Sequence, residues 1–194
     1  LVEEDASRFI TFGITPTFPA TGYGYVELGD AIRDGARLCK RFVEKPDAKT
    51  AEEYIASGNF AWNSGMFVFH TGTFLNALER LQPESYAGIK RIADAWGTDH
   101  QQHVLDEVYP ALPKISVDYG MMEPVSLDDT FSICTVPMDV EWLDVGSWPS
   151  YGDTLEADGQ GNRSDTKSLH LDSKNVLCVS SAIAHAITTI GCDR

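Results

Sequence analysis

Three apolar stretches in this chain are cut by a charged or amide side chain set against a glycine or proline. They are Phe42-Val43-Glu44-Lys45-Pro46, Trp62-Asn63-Ser64-Gly65-Met66-Phe67 and Trp142-Leu143-Asp144-Val145-Gly146-Ser147-Trp148. A strand that ends this way hands polar groups to a loop, and the loops at strand ends are where α/β proteins place their ligands. Pro46 cannot donate to a ladder, so the strand before it must stop there. Together the three stretches offer a carboxylate, a cation, an amide and a second, separate carboxylate. A phosphorylated sugar handled beside a metal ion needs such a set.

The rest of the pattern mixes short strands with helices, which is α/β in character. Arg8 to Ile14 reads as a strand ending before Pro16, and Tyr23 to Leu28 alternates as a half-buried strand does. Ala36 to Glu44, Met66 to Phe69 and Phe131 to Pro137 are the next three strands. Thr50-Ala51-Glu52-Glu53 has the form of a capping box and predicts a short helix closed by Gly58. Spacing predicts helices over 73–81, 84–95 and 101–108, and Ser116 caps a further one through Met122. Trp148 to Leu155 reads as helix or turn. Asp158 to Thr166, rich in Gly, Asn, Asp and Ser, reads as a linker before two short strands at Asn175 to Ser180 and Ala182 to Ile190.

Composition bounds the function. With 194 residues, 43% of them apolar, the chain can bury a full core. Its 29 acidic residues against 15 basic give a formal charge of -14, which repels phosphate backbones and excludes nucleic-acid binding over a broad face. Lys40, Arg41 and Lys45 are the densest basic cluster and suit a small anionic ligand. Cys39, Cys134, Cys178 and Cys192 form no CxxC, which argues against zinc and against a disulfide scaffold. There is no signal-like start and no apolar run long enough for a bilayer, so a cytoplasmic protein that binds no membrane is expected.

Each candidate residue has two readings. Glu44 and Lys45 are either a solvated ion pair at a strand end or a hydroxyl acceptor beside a phosphate-binding point charge. Strict alternation sends them to opposite faces, so both reach one site only if the strand ends or twists there. Tyr23-Gly24-Tyr25 is either sheet packing or a ring platform beside a backbone that something approaches closely. Asn63 is either an Asx turn or an amide that donates to one sugar oxygen and accepts from another. Asp144, among apolar neighbours, is either a magnesium ligand or, with Ser147, a helix cap. Gly159-Gln160-Gly161-Asn162-Arg163 looks like a phosphate loop but lacks the preceding strand and following helix. The histidines show no metal spacing.

Six phrases in order resemble the mannose-1-phosphate guanylyltransferases, or GDP-mannose pyrophosphorylases, of the sugar-nucleotide transferase superfamily. They are Phe12 to Thr17, Thr21 to Glu27, Phe42 to Pro46, Trp62 to Phe67, Ser116 to Glu123 and Trp142 to Trp148. The resemblance implies a Rossmann-like nucleotide-diphospho-sugar transferase fold, of which residues 1–157 are the sugar-phosphate-binding part. Residues 158–194 are the linker and beginning of a C-terminal β-helical module, through Asp172-Ser173-Lys174-Asn175-Val176. It further implies that Tyr23, Gly24, Glu44 and Asn63 hold mannose, that Lys45 holds its 1-phosphate, and that Asp144 is a ligand to Mg2+. Lys45 and Asp144 are then the catalytic pair, and the substrates are GTP and mannose 1-phosphate. A homodimer is among the expected assemblies.

The family's glycine-rich loop with its arginine, which binds the nucleotide phosphates, is not in this sequence, nor is the later acidic residue that completes the metal site. The chain is expected to be the sugar-binding half of an enzyme, inactive by itself. The alternative from another class is a non-catalytic regulatory or sugar-nucleotide-sensing homologue. A guanylyltransferase fused to a sugar-phosphate isomerase is the third reading.

Overall fold

Strand β1, Arg8–Ile14, is buried at every position except Arg8 and Phe12, the near-continuous burial of a strand covered on both faces. The computed structural model describes residues 1–182 and 184–193. The chain divides into two units, Leu1–Val140 and Glu141–Arg194. The boundary expected between residues 157 and 158 falls inside the second of these.

In the first unit β1 pairs in parallel with β5 (Ser132–Met138) and antiparallel with β4 (Phe60–Val68). Strands β2 (Tyr25–Ala31) and β3 (Arg37–Val43) form a hairpin that completes the ring β1-β4-β2-β3-β5, and β5 returns to β1. Four of the five pairings are antiparallel, so the sheet is mixed.

Helix α1 (Ala48–Ser57) begins at Asp47, whose carboxylate accepts the Thr50 N–H at 2.8 Å. The cap is therefore Asp47 and not Thr50: the helix starts one turn earlier than the capping-box pattern predicts. Gly58 closes it, as expected. Tyr54 of α1 stacks on Phe60 with ring centroids 3.8 Å apart. Helices α2 (Thr71–Leu81), α3 (Pro83–Ala95) and α4 (Gln101–Val108) follow. Phe9, Val26, Phe42, Ala61 and Ile133 of the strands meet Ala77 and Leu78 of α2 and Met121, Met122 and Val125 in one core. Phe9 is fully buried, with the rings of Phe69 and Phe131 at 5.5 and 5.9 Å.

Two departures from the sequence reading shape the site. The strand expected at Met66 begins at Phe60 and runs through Asn63-Ser64-Gly65 as a bulge, with Thr11 opposite Phe67 and Gly13 opposite Asn63. Gly65 supplies the bulge's positive φ of 73°. The Asx-type bond foreseen there is present, from the Gly65 N–H to Asn63 Oδ1 at 3.2 Å. The helix expected from Ser116 is a wide π turn, Asp118–Met122, followed by the short helix α5 (Glu123–Ser126).

The second unit opens with α6 (Trp148–Gly152) and contains two parallel two-stranded sheets. These are β6 (Arg163–Ser164) with β8 (Leu177–Cys178), and β7 (Lys167–Leu171) with β9 (Ala186–Ile190). Asn162, buried, joins its turns: Nδ2 donates to Asp158 Oδ2 and to the Ser173 carbonyl, both at 2.9 Å, and Oδ1 accepts the Val176 N–H at 3.1 Å. Asp158 takes the N–H groups of Gln160 and Asn162, so the glycine-rich stretch is a structural turn around a carboxylate. All four cysteines are free thiols, and burial pushes that of Cys39 up to about 12. Among the described residues no helix is long and apolar enough to cross a membrane.

Candidate functional site

Glu44 and Lys45 follow the last residue of β3, and the conflict between them is removed by the backbone. The strand stops at Val43, and Lys45 adopts a left-handed φ of 48° while its N–H donates to the Tyr23 carbonyl at 3.2 Å. A non-glycine residue in that region costs about 1–3 kcal/mol. The result is that the Lys45 Nζ lies 3.2 Å from Glu44 Oε1, with the glutamate side chain 8% exposed and the lysine 54%. Burial pushes the Glu44 carboxyl above the usual range; the Lys45 ammonium opposes this, and the charges of Asp118 and Glu123 add to it. The Lys45 amine is held above its ordinary value, first by its hydrogen bond to Glu44.

Gly24 lies against the same carboxylate. A Cβ there would collide with Glu44 Oε2 and stand 3.2 Å from the Asn63 Cβ. The group that approaches this glycine backbone is thus Glu44 itself. The Gly24 carbonyl accepts the Asn63 N–H at 2.8 Å, which pins the start of β2 to β4. Tyr23 sets its ring edge-on to Trp62 at 5.1 Å, and Phe18 packs on both at 6.1 and 4.9 Å. Trp62 is 1% exposed and its indole N–H has no partner among the described residues, while Phe18 is 50% exposed.

The Asn63 amide is fixed at both ends. Its Oδ1 accepts from the Thr11 hydroxyl at 2.9 Å and from the Gly65 N–H at 3.2 Å, while Nδ2 donates to Asp118 Oδ1 at 3.2 Å. An amide oxygen has two lone pairs, so Asn63 keeps one free N–H and no free acceptor. To accept from a ligand as well, its oxygen would have to give up Thr11 or Gly65.

Tyr23, Gly24, Glu44, Lys45 and Asn63 are therefore gathered where β1 and β3 end and β2 begins. Three further residues complete this cluster and were not singled out by sequence reasoning: Thr11, Asp118 and Glu123. Glu123 Oε1 accepts the Glu44 N–H at 2.7 Å, across 79 residues. Asp118 and Glu123 lie within the Ser116 to Glu123 phrase that carries the resemblance, and their spacing of five fits the wide turn in which the Glu123 N–H bonds the Asp118 carbonyl.

Asp144 belongs to the second unit. It is exposed, as are Leu143, Val145 and Trp148 beside it, so its carboxylate is solvated and not held among apolar groups. The helix cap is Ser147, which accepts the Ser150 N–H at 3.3 Å while the Ser150 hydroxyl is 3.1 Å from the Ser147 N–H. Among the described residues no three His, Cys, Asp or Glu side chains are grouped to hold a metal. Mg2+ takes few protein ligands and keeps waters and substrate phosphates for the rest. A single exposed carboxylate such as Asp144 fits one position of such an ion.

The mixed α/β sheet ring with its helices is a nucleotidyltransferase fold. The family model described as "Nucleotidyl transferase" matches residues 2–161, and the chain belongs to that family. It is 40% identical over 186 residues to the xanthan biosynthesis protein XanB of Xanthomonas campestris pv. campestris, covering 92% of this chain and 37% of that one. It is 40% identical over 156 residues to the mannose-1-phosphate guanylyltransferase RfbM of Salmonella typhimurium, covering 80% and 32%. A crystal structure from Thermus thermophilus, titled mannose-1-phosphate geranyltransferase, matches 100% of this chain and 53% of that one, with a TM-score of 0.75 and 29% identity. The chain spans about a third of the length of the curated relatives it matches. The Rossmann-like nucleotidyltransferase fold expected from the sequence is the fold observed.

Proposed function

We propose that this protein is a mannose-1-phosphate guanylyltransferase, making GDP-mannose and diphosphate from GTP and α-D-mannose 1-phosphate for polysaccharide precursors. The observation that carries the reading is the convergence of Gly24, Glu44, Lys45 and Asn63 on one end of the sheet ring, at the positions assigned to a sugar phosphate. The names of the relatives RfbM and ManC from Salmonella support the choice of substrates.

Lys45 is the exposed cation of this cluster and meets the 1-phosphate, exchanging part of its pairing with Glu44 for the ligand. Glu44 accepts hydroxyl protons of the hexose, and the free N–H of Asn63 donates to one of its oxygens. Tyr23, braced by Trp62 and Phe18, gives the ring a face to lie on. A 1-phosphate oxygen forms a bond to the α-phosphorus of GTP as the bond to the β-phosphate oxygen breaks and diphosphate leaves. That nucleophile is already an anion, so no general base is required, and the protein's work is alignment and charge neutralisation. Asp144, in the second unit, would be a ligand to Mg2+, which would supply neutralisation of phosphate charge. Free thiols support a reducing compartment, and we assign the protein to the cytoplasm.

The test is diphosphate release by the whole gene product with GTP, mannose 1-phosphate and magnesium, set against ATP, UTP and CTP and against glucose 1-phosphate. Release that is fastest with GTP and mannose 1-phosphate supports the reading; no release with any pair removes it. Binding of mannose 1-phosphate or GDP-mannose without release would instead favour the non-catalytic sensing homologue.

A further inference from the structure

The Asn63 side chain reaches the cluster already committed. Thr11 and Gly65 occupy its oxygen, and Asp118 takes one proton of its nitrogen. These three partners arise from β1, from the bulge of β4 and from the π turn, so the orientation of one amide depends on three elements. Thr11 is fully buried and is set by the β1–β5 register, in which it stands beside Thr135. The Gly65 N–H is set by the bulge. Asp118 sits on a turn at the surface, half-buried, and is the partner that a ligand or a substitution can reach without disturbing a strand.

We infer that Asp118 is a positioning residue for the hexose-phosphate site: it holds the Asn63 amide so that its remaining N–H faces the sugar. The inference rests on the proposed function for the identity of the ligand, but not for the geometry. Its cost is electrostatic. The Asp118 charge reaches both Glu44 and Lys45, so the same carboxylate that orients the amide repels the phosphate bound by Lys45. A residue present for phosphate affinity would not be an acid. The arrangement gives up anion attraction for orientation of the sugar, and this makes a prediction of opposite sign for two ligands.

The experiment uses Asp118→Ala and Asp118→Asn with mannose 1-phosphate and inorganic phosphate as probes, followed by calorimetric titration. In parallel, the Asn63 side-chain amide is observed by nitrogen-15 NMR without ligand. Asp118→Ala should weaken mannose 1-phosphate about tenfold, the loss expected for one hydrogen bond to a charged group, while inorganic phosphate binds as well or tighter. Asp118→Asn retains an acceptor for Asn63 Nδ2 and should recover most of the sugar-phosphate affinity. The Asn63 amide proton that bonds Asp118 should lose its slow exchange in the alanine variant only. Equal weakening of both ligands, or an Asn63 signal unchanged by Asp118→Ala, overturns the inference. If the unsubstituted protein binds no hexose phosphate while the Asn63 signal still responds, the positioning role of Asp118 stands and the proposed function falls.

Discussion

The backbone N–H of Glu44 donates to the carboxylate of Glu123 at 2.7 Å, tying the end of β3 to the first residue of α5. A carboxylate that accepts a backbone N–H beside another carboxylate keeps a like charge close to the ligand side chain for the sake of its position. Glu123→Gln keeps an oxygen for the N–H and removes the charge, so hexose-phosphate affinity should change less than about threefold. Glu123→Ala leaves a partly buried donor unpaired, at about 1–3 kcal/mol. Chemical denaturation of the two variants separates the cases.

Gly24→Ala places a methyl group against Glu44 Oε2 and the Asn63 Cβ. Overpacking of this kind costs about 1–3 kcal/mol. The carboxylate can yield by rotating out of the site, so the expected outcome is a folded protein with a modestly lower melting temperature and no measurable hexose-phosphate binding. Melting curves and titration on the same sample test this.

Burial raises the Glu44 pKa above its ordinary value of 4.5 despite the ammonium beside it. A carboxyl with a raised folded-state pKa favours the folded state when protonated. Its contribution is present below pH 4.5 and is lost as pH rises through the folded value. Glu44→Gln removes this penalty, so the variant should be more stable than the parent at pH 7, and the difference should shrink as pH falls toward 4. Urea midpoints at a series of pH values measure it. An unchanged difference across that range would refute the assignment.

Lys45→Ala should raise the mannose 1-phosphate concentration needed for half-maximal turnover by about tenfold to a hundredfold, the loss of one charge-assisted contact. Asp144→Asn should leave that value near the parent's and raise the magnesium requirement instead. Steady-state diphosphate release by the whole gene product, with each component varied in turn, distinguishes the two.

Asp47→Ala removes the N-cap of α1 and should cost about 1 kcal/mol with no effect on ligand affinity. It is the control for the other four, since α1 stands next in sequence to Glu44 and Lys45 but contributes none of the site's side chains.

The strands and helices with strong periodicity were legible from the residues: β1 and α4 have the bounds that spacing predicts. Asn63-Ser64-Gly65 was misleading because a bulge and a turn draw on the same residues, and only the β1 register shows that the strand continues. Lys167–Leu171 was missed because it is short and offers only two apolar residues, Leu169 and Leu171, both exposed, and because its partner β9 is not adjacent in sequence. Glu44, Lys45, Gly24 and Asn63 could be nominated one by one from local phrases. Thr11, Asp118 and Glu123 could not, because their roles exist only through hydrogen bonds spanning 52 to 79 residues.

Lys45 adopts a backbone conformation that glycine would adopt with less cost. Replacing it by glycine would relieve that backbone cost but strip the buried Glu44 carboxylate of its cation. A laboratory selection scored only on thermal endurance would therefore reward glycine at position 45 only once Glu44 had been neutralised too, and its winners would be better-folded chains that can no longer grip an anion.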